Sequence, residues 1–520
     1  MSNLRVFDFS IIVAYLIAMI ILGICFSRKN KNPDQFTKAS GKIPSWAVGL
    51  SLYATFLSSN TFLGVPGKAF GSNWNFFVLS LSLPLAALVA SKYFIPFYRR
   101  SGSISAYSHL EHRFGLWART YAVVCFLLTQ LARMGSIFFG IGITIHALTG
   151  YEVSTIMIVM GVCIIFYTVL GGMEAVIWTE VAQAFIKTSG AFIILYIIAS
   201  QMPGGISRIV EIGQHDLKFS LGSMSPRFTE STFWVVLLYG FCINLNNYGI
   251  DQNYVQRYHT ATSARQASKA LWLSVWMYVG VSLLFFIIGT SLYANYQANP
   301  SLDHALRLQV AKDILPDSAS AVEIARAAAN LSAADYGDKV LPHFMVNKIP
   351  TGLLGIIIAA LLSASMSTIS SGMNASATVF SVDIYKRYFK PELSDRQNLK
   401  VLYVSTVIIG LLGLAAGIAF IGVKSLLDMW WQLAGIFAGG VLGLFLLGIA
   451  TRNTKNTEAL IATIIGVLVV VWMSFSKSLP EQYAYLRSPF DTNMVIVIGT
   501  LALFLSGVFI TSIKRKLTDV

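Results

Sequence analysis

The chain has 520 residues, 55% hydrophobic and 12% charged, about half the charged share of a soluble domain. That composition excludes a solvent-exposed globule and implies a polytopic protein whose solvent is a lipid bilayer. The net charge of +14 is no nucleic-acid footprint, because the basic residues lie in short clusters between apolar runs.

At about 20 apolar residues per crossing, the chain predicts an all-α integral membrane fold of about thirteen transmembrane helices. Their limits are 7–27, 45–71, 75–98, 119–148, 153–171, 175–200, 231–254, 270–295, 350–385, 399–421, 426–450, 457–475 and 493–512. The first run, "FDFSIIVAYLIAMIILGICF", lacks a basic leader and a small-residue cleavage site, so it reads as a true helix. Cys25, Cys125, Cys163 and Cys242 all fall in apolar segments, which offers no disulfide framework and no metal-type spacing.

Basic residues recur in every second connection: Arg28, Lys29 and Lys31, then Arg99, Arg100 and Arg113, then Arg257, Arg265 and Lys269, then Lys386 and Arg387. By the positive-inside rule the N-terminus is outside and the C-terminus cytoplasmic, as in a multi-pass protein of a cell (inner) membrane. His109 and His112 lie in one of the basic loops without further ligands and read as solvated. The long outer connection, 297–348, contains "HALRLQVAKDILP" and "SAVEIARAAANL", whose spacing predicts two short surface helices.

Two spans are interrupted. Helix 45–71, "LSLYATFLSSNTFLGVPGKAF", carries Ser58, Ser59 and Asn60 near its middle; helix 231–254 carries Asn244, Asn246, Asn247 and Gly249. Such residues serve close helix packing, but their matching places in two halves of five helices predict an inverted repeat around a midplane site. In "SASMSTISSGMN", 363–374, Ala364, Ser367, Thr368 and Ser371 share one helical stripe. Hydroxyls bonded to the preceding turn explain one or two of the six hydroxyl side chains in this stretch, five Ser and Thr368, and not all of them. Neutral hydroxyls beside carbonyls freed by a broken helix suit a small hard cation such as sodium. Calcium would call for carboxylates and zinc for His or Cys.

The chain resembles the sodium:solute symporter family, which includes bacterial sodium–sialic acid and sodium–galactose transporters. The resemblance covers nearly the whole chain, and is carried by "GGMEAVIWTEVAQ" at 171–183, "DQNYVQRYHTATSARQASKA" at 251–270 and "STISSGMNASATVFSVDIYKRY" at 367–388. It implies one transporter domain, 1–520, with a LeuT-type 5+5 core: a peripheral N-terminal helix (7–27), a first inverted repeat (45–200), a second (231–450, with 297–348 extracellular), and peripheral C-terminal helices and tail (457–520). It implies a principal sodium site built from carbonyls of Ala54, Leu57 and Ala364 and hydroxyls of Ser367 and Thr368. A second sodium, held by some members, would match Glu180, Ser370 and Ser371, although "WTE" here is one methylene longer than the usual "WTD".

By the same resemblance the solute lies between the broken helices, lined by Phe56, Ser58, Thr61, Phe76, Ser80, Arg133, Asn244, Asn247 and Asp428 or Gln432. The sialic acid transporters have an Arg matching Arg133 that contacts the substrate acid group. This chain departs from them at Phe56, where they have Thr, and at Ser80, where they have Gln. The galactose-type members carry Gln, Glu and Lys at positions matching Thr61, Ser80 and Tyr278, so their hydroxyl-reading set is absent. Trp74, Trp430 and Trp431 either cap the site from outside or, as is more common for such residues, anchor the helices at the interface.

The expected function is therefore sodium-coupled import of a sugar or sugar acid by a monomer through alternating access, with sodium as the coupling ion, no organic cofactor and no enzymatic step. A neutral sugar, a polyol or another small carboxylate is the alternative solute. A channel would show a continuous polar pore stripe, a membrane enzyme a cluster of His, Asp or Cys at a bilayer face, and a receptor a large soluble domain.

Overall fold

The computed structural model describes residues 6–27, 32–316, 318–422 and 426–518. The apolar runs fold as helices because hydrocarbon offers no partner to backbone N–H and C=O groups, and a helix satisfies them within one segment. The first is α1, Val6–Ser27. Two half-helices follow, α2 (Ser45–Phe56) and α3 (Ser59–Gly71), bent by 58° at Leu57 and Ser58. Next come α4 (Phe77–Ser101), α5 (Leu116–Thr149), α6 (Val153–Val169) and α7 (Gly171–Gln201). The last two meet at a kink where Gly172 takes φ 56° and ψ −168°, a conformation that a side chain would strain.

The second half begins with α8 (Phe233–Ile250), α9 (Gln252–Thr260) and α10 (Ala264–Ala298). The long connection contains α11 (Pro300–Ile314), α12 (Ala321–Asn330) and α13 (Gly337–Lys348). Then follow α14 (Leu353–Val379), prolonged by a π-helical stretch to Phe389, α15 (Asp395–Ala419), α16 (Leu426–Ala450), α17 (Asn456–Phe475) and α18 (Met494–Thr518). Among the described residues, eleven helices are long and apolar enough to cross a membrane, the bent pair adds one, and Val153–Val169 is a shorter apolar helix.

The serine-rich α14 is the axis of the bundle. It is buried almost throughout and packs against α1, α5, α7 and α15. Its N-terminus opens at Gly352 without a capping side chain of its own. Asp8 of α1 supplies one from across the bundle: its buried Oδ1 accepts from Gly352 N at 2.7 Å and Gly355 N at 2.8 Å.

Three expectations are corrected. Helix 231–254 is not broken at Asn244–Gly249; α8 runs through them, and the chain turns at Asp251 (φ −72°, ψ 124°). The reason is local, since the Asp251 carboxylate accepts from Asn253 N and Nδ2, both at 2.8 Å, and so starts a new helix. The long connection has a third helix, α13, that packs on α3 where two glycines touch; a Cβ on Gly67 would lie 2.7 Å from the Gly337 carbonyl carbon. His109 is not a solvated residue: its ring packs edge-on to Phe97 at 4.8 Å and lies 6.0 Å from Phe445.

Replacing Asp8 by Ala removes the cap of the central helix and is expected to cost about 1–2 kcal/mol. A lower melting temperature in detergent checks this, and an unchanged one contradicts it.

Candidate functional site

A helix that stops at Phe56 leaves its last carbonyls without amide partners. Water would meet them at a surface; inside the bundle other groups must. The structure names those groups. Lys187 of α7, fully buried, donates from Nζ to Ala54 O at 2.7 Å, Leu57 O at 2.9 Å and Ser367 Oγ at 3.1 Å. Ser367 Oγ in turn lies 3.0 Å from Ala54 O and 3.1 Å from Ala364 O. Thr368 Oγ1 lies 3.3 Å from Thr55 O and 3.2 Å from Ala364 O, and Arg133 of α5 donates to Thr55 O at 2.9 Å.

The five residues expected to hold the principal sodium ion, Ala54, Leu57, Ala364, Ser367 and Thr368, are thus brought together. What they surround is the ammonium of Lys187. In this conformation the chain brings a nitrogen of its own to the same oxygens.

The second ion position has the same form. Glu180 lies buried in α7, and Arg257 Nη2 donates to both of its oxygens, at 2.8 and 2.9 Å. Arg257 Nε donates to Ser51 Oγ at 2.7 Å, Nη1 to Asn253 O at 2.7 Å and Nη2 to Ser371 Oγ at 2.6 Å. The hydroxyls of Ser51 and Ser371 donate to the carboxylate, and Thr55 Oγ1 lies 3.4 Å from it. Glu180 and Ser371 therefore meet as expected, around the guanidinium of Arg257, which stays charged. Ser370 is not part of the group, as its hydroxyl donates back to Ser367 O at 3.2 Å. Arg257, read from the sequence as a loop charge, is fully buried.

Beside these clusters lies a cavity that extends from the break along α3 toward Lys68. Of the expected solute residues, Phe56, Ser58, Thr61, Phe76, Ser80, Arg133, Asn244 and Asn247 line it. Gln432 does not; it is exposed, and Trp430 and Trp431 take the cavity-facing side of α16 instead. The side chain of Asp428 lies outside the described residues. Trp431 stacks on Phe76 with ring centroids 4.7 Å apart, and the Arg133 guanidinium lies 5.7 Å from the Trp430 ring. The two tryptophans are thus walls of the cavity. Trp74 donates from Nε1 to Thr290 Oγ1 at 2.9 Å.

Tyr278 also lines the cavity, together with two residues the sequence reading did not place there, Asp251 and Tyr254. Phe56 packs edge-on to Tyr278 at 4.4 Å, which closes that part of the wall with two rings. Ser80 and Ser282 share a hydrogen bond of 2.7 Å, and Asn244 Nδ2 donates to Leu79 O at 3.1 Å and Ser82 Oγ at 3.0 Å. Lys187 and Arg257 were legible in principle, because a lysine in an apolar helix and an arginine six residues past a buried aspartate are costly in a bilayer and mark function.

The sodium:solute symporter family model matches residues 36–466. A sodium/sialic acid symporter of Aliivibrio fischeri is 32% identical over 94% of this chain and 91% of its own length. One from Proteus mirabilis is 30% identical over 95% and 94%. The structure is similar to a substrate-bound, outward-open Na+-coupled sialic acid symporter, with a TM-score of 0.84, 28% identity and 98% of each chain covered.

Removing one partner of the buried Glu180–Arg257 pair strands a charge, at about 3–5 kcal/mol. Glu180→Ala is therefore expected to lose most folded protein, and the apolar pair Glu180→Leu with Arg257→Met to recover it. Size-exclusion yield of monodisperse protein reads both; a well-folded Glu180→Ala protein would contradict the geometry.

Proposed function

This chain belongs to the sodium:solute symporter family, and on that premise we propose that it imports a small sugar acid of the sialic acid class by sodium-coupled alternating access. The observation that carries the reading is the Arg133 guanidinium in the wall of the cavity beside the broken helix. A guanidinium is built to grip a carboxylate through two parallel N–H bonds. The N-terminus of α3 opens at the same break, where Ser58 caps it without a side-chain bond, and its dipole favours a negative group.

The hydroxyls and amides of Ser58, Thr61, Ser80, Asn244 and Asn247 suit a polyhydroxylated body, and Phe76, Trp430 and Trp431 suit its apolar face. The N-terminus lies outside and the cavity faces outward, on the charge pattern of the loops. Sodium enters at the oxygens of Ala54, Leu57, Ala364, Ser367 and Thr368, and ties α2 to α14 while the solute binds. Each ion moved inward gains about 2.3 kcal/mol per 100 mV, about fiftyfold in solute concentration. With Arg257 in the second position, one sodium per solute is the expected stoichiometry.

Uptake of radiolabelled sialic acid into proteoliposomes under an inward sodium gradient tests this. Arg133→Lys keeps the charge and loses the fork, so its KM for the acid is expected to rise about ten- to a hundredfold, the worth of one charge-assisted hydrogen bond of about 1.5–3 kcal/mol. The methyl ester of the same sugar is expected to be carried equally badly by both proteins. Equal loss for acid and ester on substitution would instead assign Arg133 to holding the Thr55 carbonyl, and a neutral solute to the cavity.

A further inference from the structure

Away from the solute cavity, α10 packs along α4, and a second pocket opens between them. It is lined by Ser91 of α4 and by Arg265, Ser268, Lys269 and Trp272 of α10. The loop charges place this end of both helices in the cytoplasmic leaflet. Ser91 belongs to the π-helical stretch Ala90–Phe94, a kind of widened turn that is rare and recurs at functional sites. The two helix ends are held in place by Arg99, whose guanidinium donates to His259 O and Thr262 O, both at 3.3 Å, in the turn before α10.

The positive-inside pattern accounts for basic residues at this level. It does not account for their arrangement. Arg265 and Lys269 stand one turn apart on one face of α10, both exposed, and among the described residues no carboxylate meets either one. Residues 81–110 and 252–302, which form both helix ends and the turns beside them, contain no Asp or Glu. Lys92, next to Ser91, lies 5.3 Å from the Tyr93 ring and adds to the same field. Farther along the face the stripe turns aromatic. Trp272 stacks on Trp276 with centroids 6.2 Å apart, and Trp276 and Leu273 are exposed where the lipid lies. From charge to hydroxyl to indole to leucine, the face follows the polarity of one phospholipid from its phosphate to its acyl chains.

We propose that this pocket binds the headgroup of an anionic phospholipid, with its phosphate between Arg265 and Lys269 and its chains along Trp272 and Trp276. Basic pockets between membrane helices on the cytoplasmic side take such headgroups. The first turn of α10 adds the positive end of a 35-residue helix. A zwitterionic headgroup brings an ammonium that finds no acid here, so the site selects net negative charge. Neither the solute nor the coupling ion enters this inference, and it stands or falls apart from the symport reading.

Native mass spectrometry of the full chain in detergent, with phosphatidylglycerol and phosphatidylcholine of the same acyl chains, tests it. Wild type is expected to retain phosphatidylglycerol in preference. Arg265→Gln with Lys269→Gln is expected to weaken that binding about thirtyfold, the worth of two basic residues at an anionic surface, and to leave phosphatidylcholine unchanged. Arg265→Gln alone is expected to show about a fivefold loss on the same scale. Both side chains are exposed, so the fold does not depend on them. The control is Arg396→Gln with Lys400→Gln, which removes the same charges at the same spacing from the start of α15, where Asp395 stands, and keeps wild-type binding. Equal retention of the two lipids by wild type overturns the proposal, as does an equal loss in the control. Displacement of the lipid by millimolar inorganic phosphate would assign the pocket to a free phosphate and overturn the lipid as its occupant.

Discussion

The architecture depends on one constraint: a helix interrupted in the middle of a membrane must find partners for the carbonyls it sets free. At Phe56 the interruption frees the oxygens of Ala54, Thr55 and Leu57, and no water need reach them. Lys187 from α7, Arg133 from α5 and the hydroxyls of Ser367 and Thr368 from α14 converge on them. Three helices distant in sequence are thereby tied to one break. The solute cavity opens beside that knot, so whatever holds the knot also shapes the cavity.

Such a junction is suited to alternating access because its strength depends on a single charge. The oxygens are neutral, and one cation satisfies several of them at once. Removing it leaves polar groups buried and unpaired, at about 1–3 kcal/mol each, which is enough to bias one arrangement of the bundle over another. A second, permanent tie lies next to it, where Arg257 joins Glu180, Ser51 and Ser371.

Much of this was legible in the residues. The sparse charge and the apolar runs marked the spans, and the "SSN" interruption marked the break within a residue or two. The stripe of Ser367, Thr368 and Ser371 pointed to the right face of α14, while Ser365 and Ser370 turned out to bond within their own helix, to Leu361 and Ser367 carbonyls. The asparagines of α8 were misread as a break because polar residues in a membrane helix signal either an interruption or a neighbour, and here Asn244 bonds to α4. Arg257 was lost among loop charges because its helix follows a turn at Asp251 that leads it back into the bundle. Lys187 was passed over because a single charge in a long apolar segment has no periodicity; what reveals it is its reach to carbonyls well over a hundred residues away.

The most direct test of this account is a high-resolution structure of the wild-type protein set beside that of the Lys187→Ala variant. The account predicts Lys187 Nζ against the Ala54 and Leu57 carbonyls in the wild type, and in the variant an ion or a water in its place. A variant whose α2–α14 junction is unchanged, with nothing against those carbonyls, would contradict it.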